Sequence, residues 1–256
     1  MNEKIEWGEM NRWELDQRSE MVDTAILPIG SLEQHGPHLP LDTDSFDAGY
    51  IVEKAVGRLD PPKPPILPTI PYGVSDHHMS FPGTVTLRSD TLEDIIVDVG
   101  RSVLQHGFFK LYIYNGHGGN EAAIRTAAQK LKKETGMLVV TDSFESLSPE
   151  AEELVETDND VHAGEFETSL VLAVRGDMLD ERTIPEKEFE FPDPKMEFDH
   201  KPEFNYTWNT HDITKTGVIG DATKASKEKG EKLWEAGIER LKKRLETVID
   251  ISHRFE

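Results

Sequence analysis

Apolar positions along this chain fall into two alternating rhythms. Short runs rich in β-branched and aromatic residues occur at Thr24 to Ile29, Pro65 to Thr69, Phe108 to Tyr114 and Met137 to Thr141, as buried strands require. Helical spacing marks Phe46 to Leu59, Leu92 to Gln105, Glu121 to Thr135 and Glu228 to Ile251. Asp90 stands near the cap of the second of these helices and Gly107 just beyond its end, both boundary signals. The last helix brings Trp234, Ile238, Leu241, Leu245 and Val248 to one face, a stripe suited to core or interface packing. This alternation predicts an α/β fold of three layers, a mostly parallel sheet flanked by helices. The chain shows no internal repeat, and 256 residues suffice for a single domain, 1–256, with a substantial core.

Residues 183–215 break the alternation. Pro185, Pro192, Pro194 and Pro202 interrupt a stretch that also holds Phe189, Phe191, Phe198, Phe204, Tyr206 and Trp208. A long irregular segment inside a compact domain is usually functional or an interface, with a poorly ordered insertion as the alternative. A lid or subunit contact is the expectation, with Trp208 lending an aromatic side to a neighbouring pocket.

Composition narrows the function classes. The formal net charge of −21 disfavours a nucleic-acid groove or an anionic membrane surface. Part of that excess lies between Ser148 and Asp160, a run expected as a solvated face. No run approaches the roughly 18 to 20 apolar residues of a membrane span, and Met1 to Asp23 is too charged for a signal peptide. A cytoplasmic protein is the expectation. With no cysteine in the chain, any metal site must use oxygen and nitrogen ligands.

Three polar clusters interrupt the apolar runs. After Ile29 and Gly30 come Glu33, His35, His38, Asp42, Asp44 and Asp47. Glu33 and His35 are two apart, so an extended backbone sends both side chains to one face. Carboxylate and imidazole on one face suit Zn²⁺, Mn²⁺ or Fe²⁺. The second cluster, Asn115-Gly116-His117-Gly118-Gly119-Asn120, follows the most strand-like run and precedes a strong helix former, with Asn120 expected as its N-cap. His117 then stands at the carboxyl end of a strand, where open α/β sheets build their sites. The glycine spacing matches neither GxGxxG nor GxxxxGK[ST], so a phosphate cradle is the weaker reading. The third cluster, His162-Ala163-Gly164-Glu165-Phe166-Glu167, enters an apolar helix. Acids there suit the positive helix end, and Glu167 alone fits that role as well as a ligand's.

The runs PIGSLEQHGPHLPLDTD, NGHGGN and HAGEFETS resemble the signature segments of the creatininase family. GVSDHHMSFPGT and TGVIGD are weaker matches, and together the resemblance runs from Pro28 to Gly230. It implies a creatininase-like fold and two divalent metal ions (Zn, Fe or Mn), with Glu33, His35, Asp44 and His117 as ligands and Asp44 bridging. His162 corresponds to the catalytic histidine. In creatininase a ligating Glu follows the NGH histidine by two positions, and here that position is Gly119; Glu165 is the expected replacement. A tryptophan that encloses creatinine there is Asp158 here, so creatinine is not the expected substrate. The NGHGGN and HAGE variants look more like formamide- and peptide-cleaving relatives.

The implied activity is metal-dependent hydrolysis of a small or non-peptide amide C–N bond by a hydroxide generated between two ions. His162 would supply the leaving nitrogen's proton. A peptidase of the mycofactocin-maturation type, or a non-catalytic metal-binding member, is the alternative. A small-molecule amide is the expected partner, together with homo-oligomeric assembly by analogy.

Overall fold

The computed structural model describes residues 3–143, 153–198 and 206–252. Strands β1 (Thr24–Ile29), β2 (Lys110–Asn115) and β3 (Leu138–Ser143) form a parallel sheet in the order β1-β2-β3. Ile26 pairs with Tyr112 and Tyr112 with Val140, while Ile29 pairs with Asn115 and Asn115 with Ser143. The expected strand at Pro65 to Thr69 is reduced to isolated parallel bridges, Ile66 with Ile26 and Ile70 with Ile29. Pro65 and Pro68 have no N–H to give, so a continuous ladder cannot form there.

Seven α-helices are described: α1 (Arg12–Met21), α2 (Thr43–Gly57), α3 (Ser89–Gln105), α4 (Glu121–Thr135), α5 (Glu165–Arg175), α6 (Thr210–Ile213) and α7 (Lys227–Asp250). Helix α2 begins three residues before the expected Phe46, which takes Asp44 into its first turn. Helix α1 has no counterpart in the apolar pattern, because Trp13 and Met21 are both exposed. A capping box between Asn11 and Glu14 starts it instead.

Alternation along the strands feeds two cores. Ile26, Tyr112 and Tyr114 pack with Ala48, Ile51 and Val52 of α2, Leu170 of α5 and the stripe Trp234, Ile238, Leu241, Leu245, Val248 of α7. Ala25, Leu27, Ile29, Leu111 and Ile113 pack on the opposite side with Leu92 and Ile96 of α3 and Ile124, Ala127 and Leu131 of α4. Helices therefore cover both faces of the sheet, the three-layer arrangement expected. Among the described residues no helix is long and apolar enough to cross a membrane.

Helix α5, which carries part of the third polar cluster, is held by α7. The Trp234 indole N–H donates to the Leu170 carbonyl at 3.0 Å. Gly230 lies so close to α5 that an added Cβ would fall 1.8 Å from the Ser169 carbonyl oxygen. Gly230→Ala must push the two helices apart, and it is expected to lower unfolding free energy by about 1–3 kcal/mol. Chemical denaturation measures this, and an unchanged midpoint would refute the close contact.

Candidate metal centre and active site

The site forms where β1 and β2 end and α2 begins. Two glycines permit this. A Cβ on Gly30 would lie 2.3 Å from Ser45 Cα, and one on Gly116 would lie 2.6 Å from the Asp44 carbonyl oxygen. With neither present, the first turn of α2 presses between the strand ends and delivers Asp44 beside Glu33, His35 and His117.

Ligand atoms fall into three overlapping groups within 4.8 Å: Glu33, His35 and His162; Glu33, Asp44 and His117; His35, Asp44 and Glu167. His35 Nε2 is 3.0 Å from Asp44 Oδ1 and 3.7 Å from Glu167 Oε1. His117 approaches Glu33 Oε2 and Asp44 Oδ2 at 3.2 Å each. Ligands at about 2.1 Å from one tetrahedral ion stand roughly 3.4 Å from each other, so this spacing fits metal coordination. Glu33 Oε1 and Asp44 Oδ2 are buried without a hydrogen-bond partner, which a cation would satisfy. These groups can hold a metal ion.

Outer contacts aim the ligands. Ser31 Oγ donates to Glu33 Oε2 at 3.0 Å. His117 Nε2 lies 3.0 Å from the Val74 carbonyl. Asn115 brackets the His117 backbone, its Nδ2 donating to the His117 carbonyl at 2.7 Å and its Oδ1 accepting from the His117 N–H at 3.1 Å. Asn120 does not cap α4 with its side chain. Its Nδ2 donates to the Gly30 carbonyl and its Oδ1 accepts from Val74 N–H, so it ties two site loops together. Gly119 cannot carry the carboxylate found there in creatininase: a Cβ would lie 2.2 Å from the Val74 carbonyl oxygen.

Glu165 is the expectation that the geometry corrects. Its side chain is buried but turned away from the cluster: Oε1 pairs with Lys229, and Oε2 accepts from the Glu156 and Thr157 amides and the Thr157 hydroxyl. Glu167 faces the cluster instead, with Oε1 toward His35 and Oε2 accepting from the Ala163 amide. The cause is at the helix entrance. Asp160 accepts from the Glu165 and Phe166 amides at 2.8 Å, and Ala163 takes a left-handed φ of 54°. That entry rotates α5 so that its third residue, not its first, meets the ligands. Asp158, by contrast, is exposed, as its acidic surroundings suggested.

Two neighbours of the cluster were not singled out from sequence. Gln34 Nε2 donates to the Gly217 carbonyl at 3.0 Å and lies 3.0 Å from His78 Nδ1. His78 Nε2 is 3.3 Å from Glu33 Oε1. The signal for His78 was the weaker motif around Asp76 to Met79, whose site role shows only when distant loops meet, and Gln34 lies inside the first motif between Glu33 and His35. The TGVIGD segment has a similar part, since His162 and Ile219 exchange backbone hydrogen bonds at 3.0 and 2.8 Å.

His162 is 6% exposed. Its Nε2 is 2.7 Å from the Gln34 carbonyl oxygen. A carbonyl can only accept, so that contact puts the proton on Nε2 and leaves a lone pair on Nδ1, 3.7 Å from Glu33 Oε1. Burial, reinforced by the charge of His35, depresses His162 to about 3. It is therefore a neutral acceptor at rest. Burial would also depress His35 and His117, but Asp44 and Glu167 hold His35 well above the imidazole range, and Glu33 and Asp44 hold His117 at about 9. Glu33 is raised by burial to about 7 despite His117.

Glu33, Asp44, His117, His162 and Glu167 line a cavity of about 690 Å³, with Asp47, Phe166, His77 and Trp208 also on its walls. The aromatic segment reaches it through successive ring contacts, Phe191 to Phe198 at 5.1 Å, Phe198 to Trp208 at 5.6 Å and Trp208 edge-on to His77 at 5.3 Å. Residues 199–205 of that segment, including Pro202 and Phe204, lie outside the described residues.

The two acids at the start of α5 should separate on substitution. Glu167→Gln is expected to weaken metal binding by more than the roughly 10- to 100-fold typical of losing an outer partner. Glu165→Gln should keep metal binding while losing about 1–3 kcal/mol of stability through the Lys229 contact. Equilibrium dialysis with Mn²⁺ and thermal melts distinguish them, and the reverse pattern would restore Glu165 as the ligand.

Comparison with known proteins follows the same lines. The sequence matches the family model described as creatinine amidohydrolase over residues 8–245. The mycofactocin precursor peptide peptidase of Mycolicibacterium smegmatis is 31% identical over 227 residues, 85% of this chain and 82% of its own. The creatinine amidohydrolase of Pseudomonas putida is 27% identical across 93% of this chain and 95% of its own. A 2-amino-5-formylamino-6-ribosylaminopyrimidin-4(3H)-one 5'-monophosphate deformylase of Methanothermus fervidus is 30% identical across 57% and 53%. Solved creatininase forms described as Zn-Zn type and as Mn share the fold, with TM-scores of 0.82 and 0.83 at 23% and 24% identity, covering 98% and 97% of this chain and 100% of each of those. With the family match spanning nearly the whole sequence, the chain belongs to the creatininase family of amidohydrolases.

Proposed function

We propose that the chain is a metal-dependent amidohydrolase that cleaves a small or non-peptide amide C–N bond, holding two divalent ions between Glu33, His35, Asp44, His117 and Glu167. The observation that carries this reading is the overlap of two ligand groups at Asp44, which belongs both to the Glu33, Asp44, His117 group and to the His35, Asp44, Glu167 group, as a carboxylate that serves adjacent ions does. The likeness to creatininase forms described with zinc and manganese supports the choice of ion. Homo-oligomeric assembly remains part of the proposal by analogy only.

When bound, the ions supply a nucleophilic water of lowered pKa and polarise the amide oxygen. The residues do the rest. Glu33 and Asp44 fix the position of attack, and Ser31 and Val74 hold their partners in orientation. His162, neutral and with its Nδ1 lone pair toward Glu33, receives a proton as attack proceeds and returns it to the leaving nitrogen. The Gln34 carbonyl, bonded to Nε2, keeps the ring from turning and favours the protonated form in passing. Tyr206, Trp208 and Phe166 line the same cavity and would keep bulk water from the reacting atoms.

A second reading is peptide-bond cleavage. It is favoured by the extent of likeness to the mycofactocin precursor peptide peptidase, 85% of this chain against 57% for the deformylase.

His162→Ala is expected to keep its metal content and to lose about two to four orders of magnitude in turnover. Asp44→Ala should lose more metal than any variant of a ligand confined to one ligand group. Metal analysis coupled to a screen of formamides, lactams and short peptides measures both. Loss of metal in the His162 variant would move that residue among the ligands, and metal-independent turnover by the parent would end this reading.

A further inference from the structure

Asp47 is a buried carboxylate that the proposed mechanism does not use. It stands three residues after Asp44 on α2, hence on the same helix face. It is 5% exposed, its Oδ1 is buried without a hydrogen-bond partner, and it lines the cavity that holds Glu33, His162 and Glu167. It belongs to none of the ligand groups that could hold a metal ion. The cations that act on it are engaged elsewhere: His35 faces Asp44 and Glu167, and Arg175 binds Asp42 at 2.9 and 3.3 Å and lies 4.3 Å over the Phe46 ring. A buried carboxylate with an unsatisfied oxygen is costly to keep charged.

We propose that Asp47 is a specificity-determining residue that receives a protonated amine of the substrate, so that the enzyme acts on amides carrying a primary ammonium group near the scissile bond. This rests on the amidohydrolase reading above, because bound ions would neutralise Glu33, Asp44 and Glu167 and leave Asp47 as the carboxyl on that wall still open to a cation; burial raises it well above the carboxylate range, and an ammonium partner would draw it to the charged form. Phe166 and Trp208 on the cavity lining suit an apolar or aromatic body attached to the amine.

The test uses benzylammonium and benzyl alcohol, which differ in the charged donor but little in shape, titrated calorimetrically into the Mn²⁺-loaded protein at neutral pH. The parent should bind the amine about tenfold or more tightly than the alcohol, as a charge-assisted hydrogen bond predicts. Asp47→Asn should bring the ratio close to one while melting no lower than the parent, since it replaces a costly buried carboxyl by a neutral group of the same shape. A ratio near one in the parent, no measurable binding of either probe, a preference that survives in Asp47→Asn, or a clearly lowered melting temperature of that variant would each overturn the proposal. If the parent took up no Mn²⁺, the metal reading would fail separately, and whether the preference for the amine is lost in Asp47→Asn would still decide the role of Asp47.

Discussion

At the carboxyl ends of β1 and β2, Asp44 stands within 4.8 Å of Glu33 on one side and of Glu167 on the other, with Glu33 and Asp44 buried and Glu167 half-buried. Like charges in a desolvated space repel and forfeit hydration, so the assembly holds only while positive charge is supplied among them. His35 and His117 carry part of that load, which is why both imidazoles are held above their ordinary range while Glu33 still rises to about 7. Much of the surrounding structure serves this requirement. Gly30 and Gly116 give up side chains so that α2 can approach, and Asn115, Asn120 and Ser31 spend their hydrogen bonds on loop backbone and ligand atoms.

The same desolvation divides labour among the histidines. His35 and His117 face carboxylates and gain protons. His162 and His78 face a carbonyl, an amide and other imidazoles, and burial drives both below the ordinary imidazole range. Neutral imidazoles beside charged ones give the site a proton acceptor next to its ligands, without an additional positive charge to compete for them. Gln34 touches both neutral rings, its backbone carbonyl accepting from His162 Nε2–H while its side-chain amide lies beside His78 Nδ1 and donates to the Gly217 carbonyl, so the motif that supplies Glu33 and His35 also sets the orientation of His162, 128 residues away in the chain.

The aromatic segment completes the cavity from another layer of the fold. Its rings pass contacts from Phe191 through Phe198 and Trp208 to His77, and His77 stacks on His117 with ring planes 6° apart. The cavity is therefore polar on the side of α2 and aromatic on the side of residue 208.

Much of this was legible in the amino-acid order. Local patterning determined β1, β2, β3 and the major helices, because the periods of strands and helices are properties of neighbouring residues. Glu33, His35, Asp44, His117 and His162 were identified as candidates because each lies in a short motif beside a strand or helix end, and the structure gathers them in one place. Tertiary structure alone decided the rest. Whether Glu165 or Glu167 meets the cluster depends on how Asp160 and Ala163 set the entrance to α5, and on Lys229 of α7 drawing Glu165 away. Pro65 to Thr69 looks like a strand locally, yet its prolines leave only bridges along β1. Gln34 and His78 gain their places from loops and helices far apart in the chain, because the desolvation and close approach that define them exist only once the layers have packed.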